Sequence, residues 1–388
     1  MKLKINQKVL EKALAHANWI IEKKQAIPVL GYVLLEAEAG KGIKITATNM
    51  DMTIVDTISC DVEESGKYCL PASLLYDITR KIRSGSEISL EYIEADNSIK
   101  LASNRASFTI HYMESESFPP ITEVQYDITF KMKTKVLKEA IDVAKVAMLQ
   151  DNSRFHLNGI HIHYENELGD VKLRFVATDL FRISCISAEA PSEVQGMSPI
   201  IVSKRTVGEI LKLIDGSNDE NVQISVTENR ISFSLISTEN IQTEFGSRLI
   251  SGTFPEYKAA IDVSNDKILT VNTAEFIEAL DRVSTVVIDS TNSVKLSIFS
   301  DKLLFSGISR ELGSASEEID VTFSSQEPME ICFNSRYLLE ILKEIETPTV
   351  RLRLSTSSSS TIIEPTDTDE KPDVNMVFAV MPIEIVKT

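Results

Sequence analysis

A threefold internal repeat constrains this chain more than any other feature of its sequence. Asp77-Ile78-Thr79-Arg80 with Ile82, Glu209-Ile210-Leu211-Lys212 with Ile214, and Glu340-Ile341-Leu342-Lys343 with Ile345 share one pattern: an acid, Ile, a free position, a base, then a later Ile. The copies stand roughly 130 residues apart, a length typical of one domain. An amphipathic stretch precedes each: Leu10-Glu11-Lys12-Ala13-Leu14, Leu137-Lys138-Glu139-Ala140-Ile141 and Phe276-Ile277-Glu278-Ala279-Leu280. Their apolar residues fall at i, i+3 and i+4, the stripe a helix buries against a core. A proline step closes each unit, at Phe118-Pro119, Phe254-Pro255 and Met381-Pro382. Proline removes a ladder donor, so it suits the exit of a strand at a boundary.

Between these helices the chain alternates apolar and polar residues, the mark of half-buried strands. Strands are expected over residues 43–48, 88–93, 108–112, 161–164, 173–177, 222–226, 231–235, 294–299, 302–305 and 350–354. Gly40-Lys41-Gly42, Glu228-Asn229 and Ser300-Asp301 supply hairpin turns. A solenoid repeat runs about 20–50 residues, so this unit is too long for that class. The reading is an α+β chain of three similar domains, each with two helices packed on antiparallel sheets, over residues 1–126, 127–258 and 259–388. The Ser-, Thr-, Asp- and Pro-rich stretch Ser355–Pro372 is expected to be in part a mobile loop.

Charge is distributed unevenly. The whole chain carries a net charge of −17, which argues against a protein that coats nucleic acid. Yet residues 6–24, 73–83, 133–149 and 203–214, four of the six helical stretches, are each net basic; residues 133–149 set Lys133, Lys135, Lys138 and Lys145 against Glu139 and Asp142. Basic helices and acidic strands and loops would make a body with two faces, the basic one suited to DNA phosphates. No pattern for reading base edges or stacking on single strands is present. DNA contact is therefore expected with the backbone alone.

Catalytic and membrane signatures are missing. There is no P-loop, no G-x-G-x-x-G and no G-x-S-x-G. No apolar run is long enough to span a bilayer, and no N-terminal stretch has the pattern of a secretory signal; the cytoplasm is the expected compartment. Cys60, Cys69, Cys185 and Cys332 form no C-x-x-C pair and read as buried thiols. His161 and His163 share a strand face and with Asp179 could hold a metal for hydrolysis, but no H-E-x-x-H or further ligand accompanies them. Two satisfied surface histidines are the plainer expectation, with neither metal nor cofactor. A scaffold of three α+β domains that never meets DNA is a further alternative.

One stretch carries a candidate recognition feature. Val171–Ser184, VKLRFVATDLFRIS, reads as a strand, a Thr178-Asp179 turn and a large apolar pair, Leu180-Phe181. The pair could be an exposed recognition surface, or Phe181 could pack in a core.

The ordered set of local motifs resembles the bacterial DNA polymerase III beta subunit, the sliding clamp, over essentially the whole chain. The marks are Ile27-Pro28-Val29-Leu30-Gly31, Ser103-Asn104-Arg105 with Phe108, Leu157-Asn158-Gly159, Ala177-Thr178-Asp179 with Arg182, Phe254-Pro255 with Tyr257, and Val380-Met381-Pro382. The resemblance implies the DNA clamp fold: a homodimeric ring, joined head to tail, that encircles duplex DNA without sequence preference and has no catalytic motif of its own. It places the dimer interface at Phe108 and Ile110 and near Val286 and Val287. It places DNA-facing positions near Lys24, Arg80, Arg154, Lys204 and Arg205. It implies a groove for short peptide motifs at Leu157, Thr178, Leu180, Phe181, Arg182, Ile183, Pro255, Ala260, Met381, Pro382 and Ile383. The partners implied are the DNA polymerase III alpha subunit, the clamp loader and other clamp-binding-motif proteins. The chain departs from the family where Leu180-Phe181 replaces a common Gly-His pair and where Ala259 stands in place of an Arg. Its tail also runs on through Glu384-Ile385-Val386-Lys387-Thr388. Bulk at 180 and 181 is expected to narrow the groove and alter partner choice.

Overall fold

Each of the six longer helices begins at the residue after a strand ends, so strand and helix form one continuous unit six times over. The computed structural model describes residues 1–22, 27–122, 124–151, 154–167, 170–287, 291–366 and 372–384. Within them lie α1 (Gln7–Ile20), α2 (Ala72–Lys81), α3 (Thr134–Ala144), α4 (Lys204–Asp215), the single turn α5 (Lys258–Ile261), α6 (Thr273–Ser284) and α7 (Ser335–Leu342). Asparagine ends the strand before three of them. The side chains of Asn6, Asn272 and Asn334 accept from Lys8 N, Glu275 N and Arg336 N at 2.9–3.0 Å, satisfying donors that the first helical turn leaves free. The expected stripe is buried: Leu10, Ala13, Leu14, Ala17 and Ile20 face the core from α1, and Phe276, Ala279, Leu280 and Val283 do so from α6.

The chain divides into two compact units: residues 1–137 with 191–195 and 205–249, and residues 138–190 with 196–204 and 250–388. Each contains one nine-stranded antiparallel sheet and one smaller sheet. In the first unit, Met52–Ile58 pairs with Gln242–Arg248, from Thr57 opposite Gln242 to Met52 opposite Ser247. In the second, Arg182–Glu189 pairs with Val374–Val380, from Arg182 opposite Val380 to Ala188 opposite Val374. At each of these seams a strand of one repeat joins a strand of the next, and the middle repeat contributes to both units.

The first seam encloses a polar network. Asp56 and Thr243 are direct cross-strand partners. Thr243 Oγ1 donates to Asp56 Oδ1 at 2.6 Å, and the other carboxylate oxygen lies 2.9 Å from His16 Nδ1. All three side chains are buried, so the register is tied to a contact that α1 completes. Lys12, one turn earlier, donates to Gly216 O and Thr238 Oγ1 at 2.7 Å and pairs with Glu239 at 2.6 Å. The second seam has a different character, with Cys185, Ile186 and Phe378 buried along it and Ser184 Oγ donating to Val143 O at 2.8 Å.

Two expectations need correction. Ser355–Pro372 is not simply a loop: Thr361–Pro365 forms a strand between Thr349–Leu354 and Val374–Val380, with Thr361, Ile362 and Ile363 buried. The two isoleucines supply enough apolar surface to fix a strand inside a polar tract, and only residues 355–360 make a turn; residues 367–371 lie outside the described residues. The strand expected over 108–112 is Ala106–Ile110, and Tyr112 instead donates to Asn97 Oδ1 at 2.7 Å. No helix among the described residues is long and apolar enough to cross a membrane.

Replacing Asp56 with Ala leaves His16 and Thr243 buried without their shared acceptor. The expected loss is about 3 kcal/mol of unfolding free energy, against about 1 kcal/mol for Thr243→Val. Urea unfolding measures both as a lower midpoint at unchanged slope.

Candidate functional site

The Thr178–Arg182 turn is wired by two short side chains. Thr178 Oγ1 accepts from Leu180 N at 3.0 Å and donates to Arg182 O at 2.8 Å. Asp179 Oδ1 accepts from both Phe181 N and Arg182 N at 3.0 Å, and its second oxygen accepts from Arg182 Nε at 3.0 Å. This wiring holds Leu180 at φ 76°, a left-handed backbone that disfavours any residue with a Cβ. It also turns the apolar pair outward: Leu180 is 46% exposed and Phe181 61%. Phe181 does not pack in a core, so of the two readings of this stretch the exposed one is observed.

Beneath the pair sits a buried cation. Arg182 is 5% exposed, bonded to Asp179 and, through Nη1, to Glu340 Oε2 at 2.6 Å. Its guanidinium carbon lies 4.3 Å from the centre of the Tyr337 ring, a cation–π arrangement that helps replace lost hydration. Burial, and then the Asp179 charge, raise the Tyr337 pKa. Tyr337 and Glu340 were not among the residues expected here. Glu340 was visible only as a mark of the repeat, and nothing local in sequence ties α7 to residue 182.

The end of the described chain forms an adjoining wall. Met381 N donates to Phe181 O, and Ile383 N to Cys332 O, both at 2.8 Å. Met381 is 44% exposed, with Pro382 and Ile383 half-buried. Leu157 is fully buried, in one cluster with Val176, Cys185, Phe254, Tyr257 and Ile362, and Ile183 packs on it. Pro255 and Ala260 are half-buried, and Ala259 is exposed. All these residues belong to the second unit.

His163 is buried and His161 half-buried, where two surface positions were expected. His161 stacks on Phe254 with centroids 4.6 Å apart and planes 6° from parallel, and His163 Nε2 lies 2.8 Å from the Tyr257 hydroxyl. Glu165 pairs with Arg174 and Lys258. Burial works to raise the Glu165 pKa, but the Lys258 hydrogen bond and the Arg174 charge outweigh it and hold the group low. These pairings brace the segment from Phe254 to Lys258. The metal-hydrolase alternative is not supported: both Asp179 oxygens are engaged within the turn, and no group of three or more His, Cys, Asp or Glu among the described residues could hold a metal ion.

The remaining expected positions are spread over both units. Arg80 is half exposed and pairs with Asp77 at 3.1 Å. Arg205 bonds Glu22 at 2.5 Å and Ile20 O at 2.9 Å. Lys204 donates to Gln150, and Arg154 is exposed. Lys24 lies outside the described residues. Phe108 sits on the edge strand Ala106–Ile110 and lines a hollow of about 540 Å³ with Leu74, Ile78 and Ile82, rimmed by Lys81, Arg83 and Arg105. Ile110 and Val287 are buried within their own chain, Val287 against Gly307. Their side chains are thus committed to their own unit, which leaves Phe108 and the half-buried Val286 as the accessible pair.

Burial, and then neighbouring His163, push His161 down to about 4, and burial lowers His163 as well. Unfolding therefore takes up protons between pH 6.5 and about 4, so stability is fully present above this window and is lost as pH falls through it. For His161 the loss is on the order of 2–3 kcal/mol by the lower end. Denaturant midpoints at pH 7.5 and 4.5 should show a smaller difference in His161→Gln than in the wild type.

The comparisons with known proteins cover the whole chain. Family models of the DNA polymerase III beta subunit match its N-terminal domain to residues 1–122, its central domain to 131–256 and its C-terminal domain to 258–382. The beta sliding clamp of Caulobacter vibrioides (strain NA1000) is 32% identical over 99% of this chain and 100% of its own length. That of Rickettsia felis is 28% identical over the same shares. A solved sliding clamp from Bartonella birtlesii, bound to griselimycin, superposes with a TM-score of 0.91 at 33% identity, covering 99% of this chain and 100% of that one. With three similar α+β domains in the family's order, the chain belongs to the DNA polymerase III beta subunit family, the DNA sliding clamps that act as processivity factors rather than enzymes.

Proposed function

We propose that two copies of this chain close head to tail into a ring around duplex DNA, and that the ring tethers the DNA polymerase III alpha subunit for processive synthesis. A complementary pair of sheet edges carries this reading. Ala106–Ile110 ends the five-stranded sheet and Gly313–Asp320 ends the four-stranded one, each with backbone groups free to extend a ladder. The first edge has an apolar hollow with Lys81, Arg83 and Arg105 around it. The second carries Glu317, Glu318 and Asp320, beside Glu275, Glu278 and Asp281 of α6. Opposite charge on the two edges favours unlike over like pairing, and a head-to-tail contact closes when its rotation divides the circle. Phe108 and Val286 are the side chains assigned to this contact.

The DNA-facing positions are Arg80, Arg154, Lys204 and Arg205. Arg80 and Arg205 already hold exposed ion pairs. Such pairs contribute little, about 0–1 kcal/mol, so exchanging their carboxylates for phosphates costs little. The contact is then with the DNA backbone, weak and sequence-blind, and topological closure replaces affinity. The groove around Leu180, Phe181 and Met381 receives short apolar-anchored segments of the alpha subunit, the clamp loader and other clamp-binding-motif proteins. The repeat boundaries fall at residues 126/127 and 258/259, and the compartment is the cytoplasm.

Loading onto nicked circular duplex with a clamp loader, followed by linearisation, tests the ring. Retention on the circle and loss on cutting is the expected result; equal retention on both forms is incompatible with topological linkage. Phe108→Asp is expected to weaken dimerisation at least about thirtyfold, read by sedimentation equilibrium, because it sets a charge in an apolar contact.

A further inference from the structure

The hollow beside the edge strand Ala106–Ile110 has two unlike ends. Ser103 Oγ donates to Glu87 O at 2.7 Å, and Ser86 N donates to Arg83 O at 3.1 Å. These bonds bring the end of α2 and the start of the edge strand together, so Lys81, Arg83 and Arg105 gather at one end of the hollow. Leu74 lies two turns before Ile82 on the α2 side, about 12 Å away at the helical rise. It lines the hollow with Ile78 and Phe108 and is 48% exposed. Asp77, the one acid in the lining, is held by Arg80. The end remote from the cations is therefore apolar.

The other open edge, Gly313–Asp320, is polarised along its length as well. Glu317, Glu318 and Asp320 stand toward its C-terminal end. Arg282 and Lys302 offset the first two, while Glu275, Glu278 and Asp281 of α6 keep this side acidic. At the N-terminal end is the tip of the hairpin formed with Lys302–Ser309. There Arg310 and Glu311 offset one another, and Leu312 is 56% exposed. Ser309 Oγ accepts from Leu312 N at 3.3 Å, and Gly313 takes a left-handed φ of 104°, a backbone that glycine adopts without strain. The tip thus holds an apolar side chain in water on a fixed turn.

Charge sets the direction in which the two edges can meet. The acids of Glu317–Asp320 reach Lys81, Arg83 and Arg105 only if the strands run antiparallel; the parallel arrangement sets them against Leu74 and leaves Leu312 among cations. Five residues separate Leu312 from Glu317, and five separate Ile110 from Arg105, about 17 Å each along a strand. With the charged ends matched, Leu312 of one copy falls at the apolar end of the hollow in the other. We propose that Leu312 closes there on Leu74 of a second copy, an apolar latch at one end of an edge contact whose other end is ionic. This rests on the ring reading given above. It adds to Phe108 and Val286 a pair that fixes the direction of the contact, and both its side chains lose water on closing.

A double-mutant cycle on the full chain, read as the dimer Kd by sedimentation equilibrium, tests the latch. Leu312→Glu and Leu74→Lys are each expected to weaken dimerisation about tenfold or more, since each sets a charge against an apolar side chain. Combined, they are expected to recover most of that loss, because the two new charges are opposite and adjacent. Both positions are exposed in the single chain, so neither change empties a core. Ile308→Glu is the control. Ile308 is 75% exposed on the same tip but lies on the strand face opposite buried Leu303 and Phe305, and its change is expected to move Kd less than about twofold. A Leu312→Glu dimer as tight as the wild type overturns the latch and leaves the ring standing. Losses that simply multiply in the double variant, or an equal loss in Ile308→Glu, overturn it too. A wild-type chain that stays monomeric at every concentration overturns the ring reading itself.

Discussion

Backbone pairing between strands of successive repeats is the constraint on which the rest of this structure depends. Met52–Ile58 with Gln242–Arg248, and Arg182–Glu189 with Val374–Val380, turn small sheets into two nine-stranded ones. Left unpaired, each strand would present a row of open donors and acceptors, the usual route to aggregation. Register is set by what each seam buries. At the first, Asp56 must meet Thr243 and His16 at once. At the second, both faces are buried, with Cys185 on one and Phe378 on the other, and Ser184 must at the same time reach Val143 O.

The candidate groove is a consequence of the second seam. Pairing of Arg182 with Val380 brings residues nearly two hundred positions apart side by side, and the Met381 N to Phe181 O bond extends that ladder by one rung. Below it, Arg182 gives up its hydration for Asp179, Glu340 and the Tyr337 face. A buried cation is stable only with such complete pairing, and the pairing makes the base of the turn rigid. Leu180 and Phe181 are therefore presented by a fixed frame, which would lower the ordering cost of the partner contact proposed for them.

The net charge of −17 agrees with membership of the sliding clamps once its placement is considered. A protein that must move along DNA has no use for a uniformly basic surface, which would hold it in place. Four of the six helical stretches are net basic, and several of their bases are held by acids one turn away, as Arg80 is by Asp77 and Lys212 by Glu209. The strands and loops carry the acidic excess.

How much was legible in the sequence follows from the range of each interaction. The repeat, its helices and most of its strands rest on periodicity within about ten residues, so the signatures around Leu10, Leu137 and Phe276 sufficed to place α1, α3 and α6. The polar tract around Ile362 misled, because composition there outweighed two isoleucines whose partners lie on strands remote in sequence. The histidines misled for the same reason: His161 and His163 alternate correctly, but only Phe254 and Tyr257, some ninety residues on, make that face an interior. The sequence by itself determined three copies of one unit, the family, and a turn at Thr178-Asp179, since all of these rest on local pattern, but it left open whether Leu180 and Phe181 are exposed. Only the tertiary structure decided which strands join at the seams, that Tyr337 and Glu340 support Arg182, and that Ile110 and Val287 face inward, because long-range pairing and burial leave no periodic trace in a single chain.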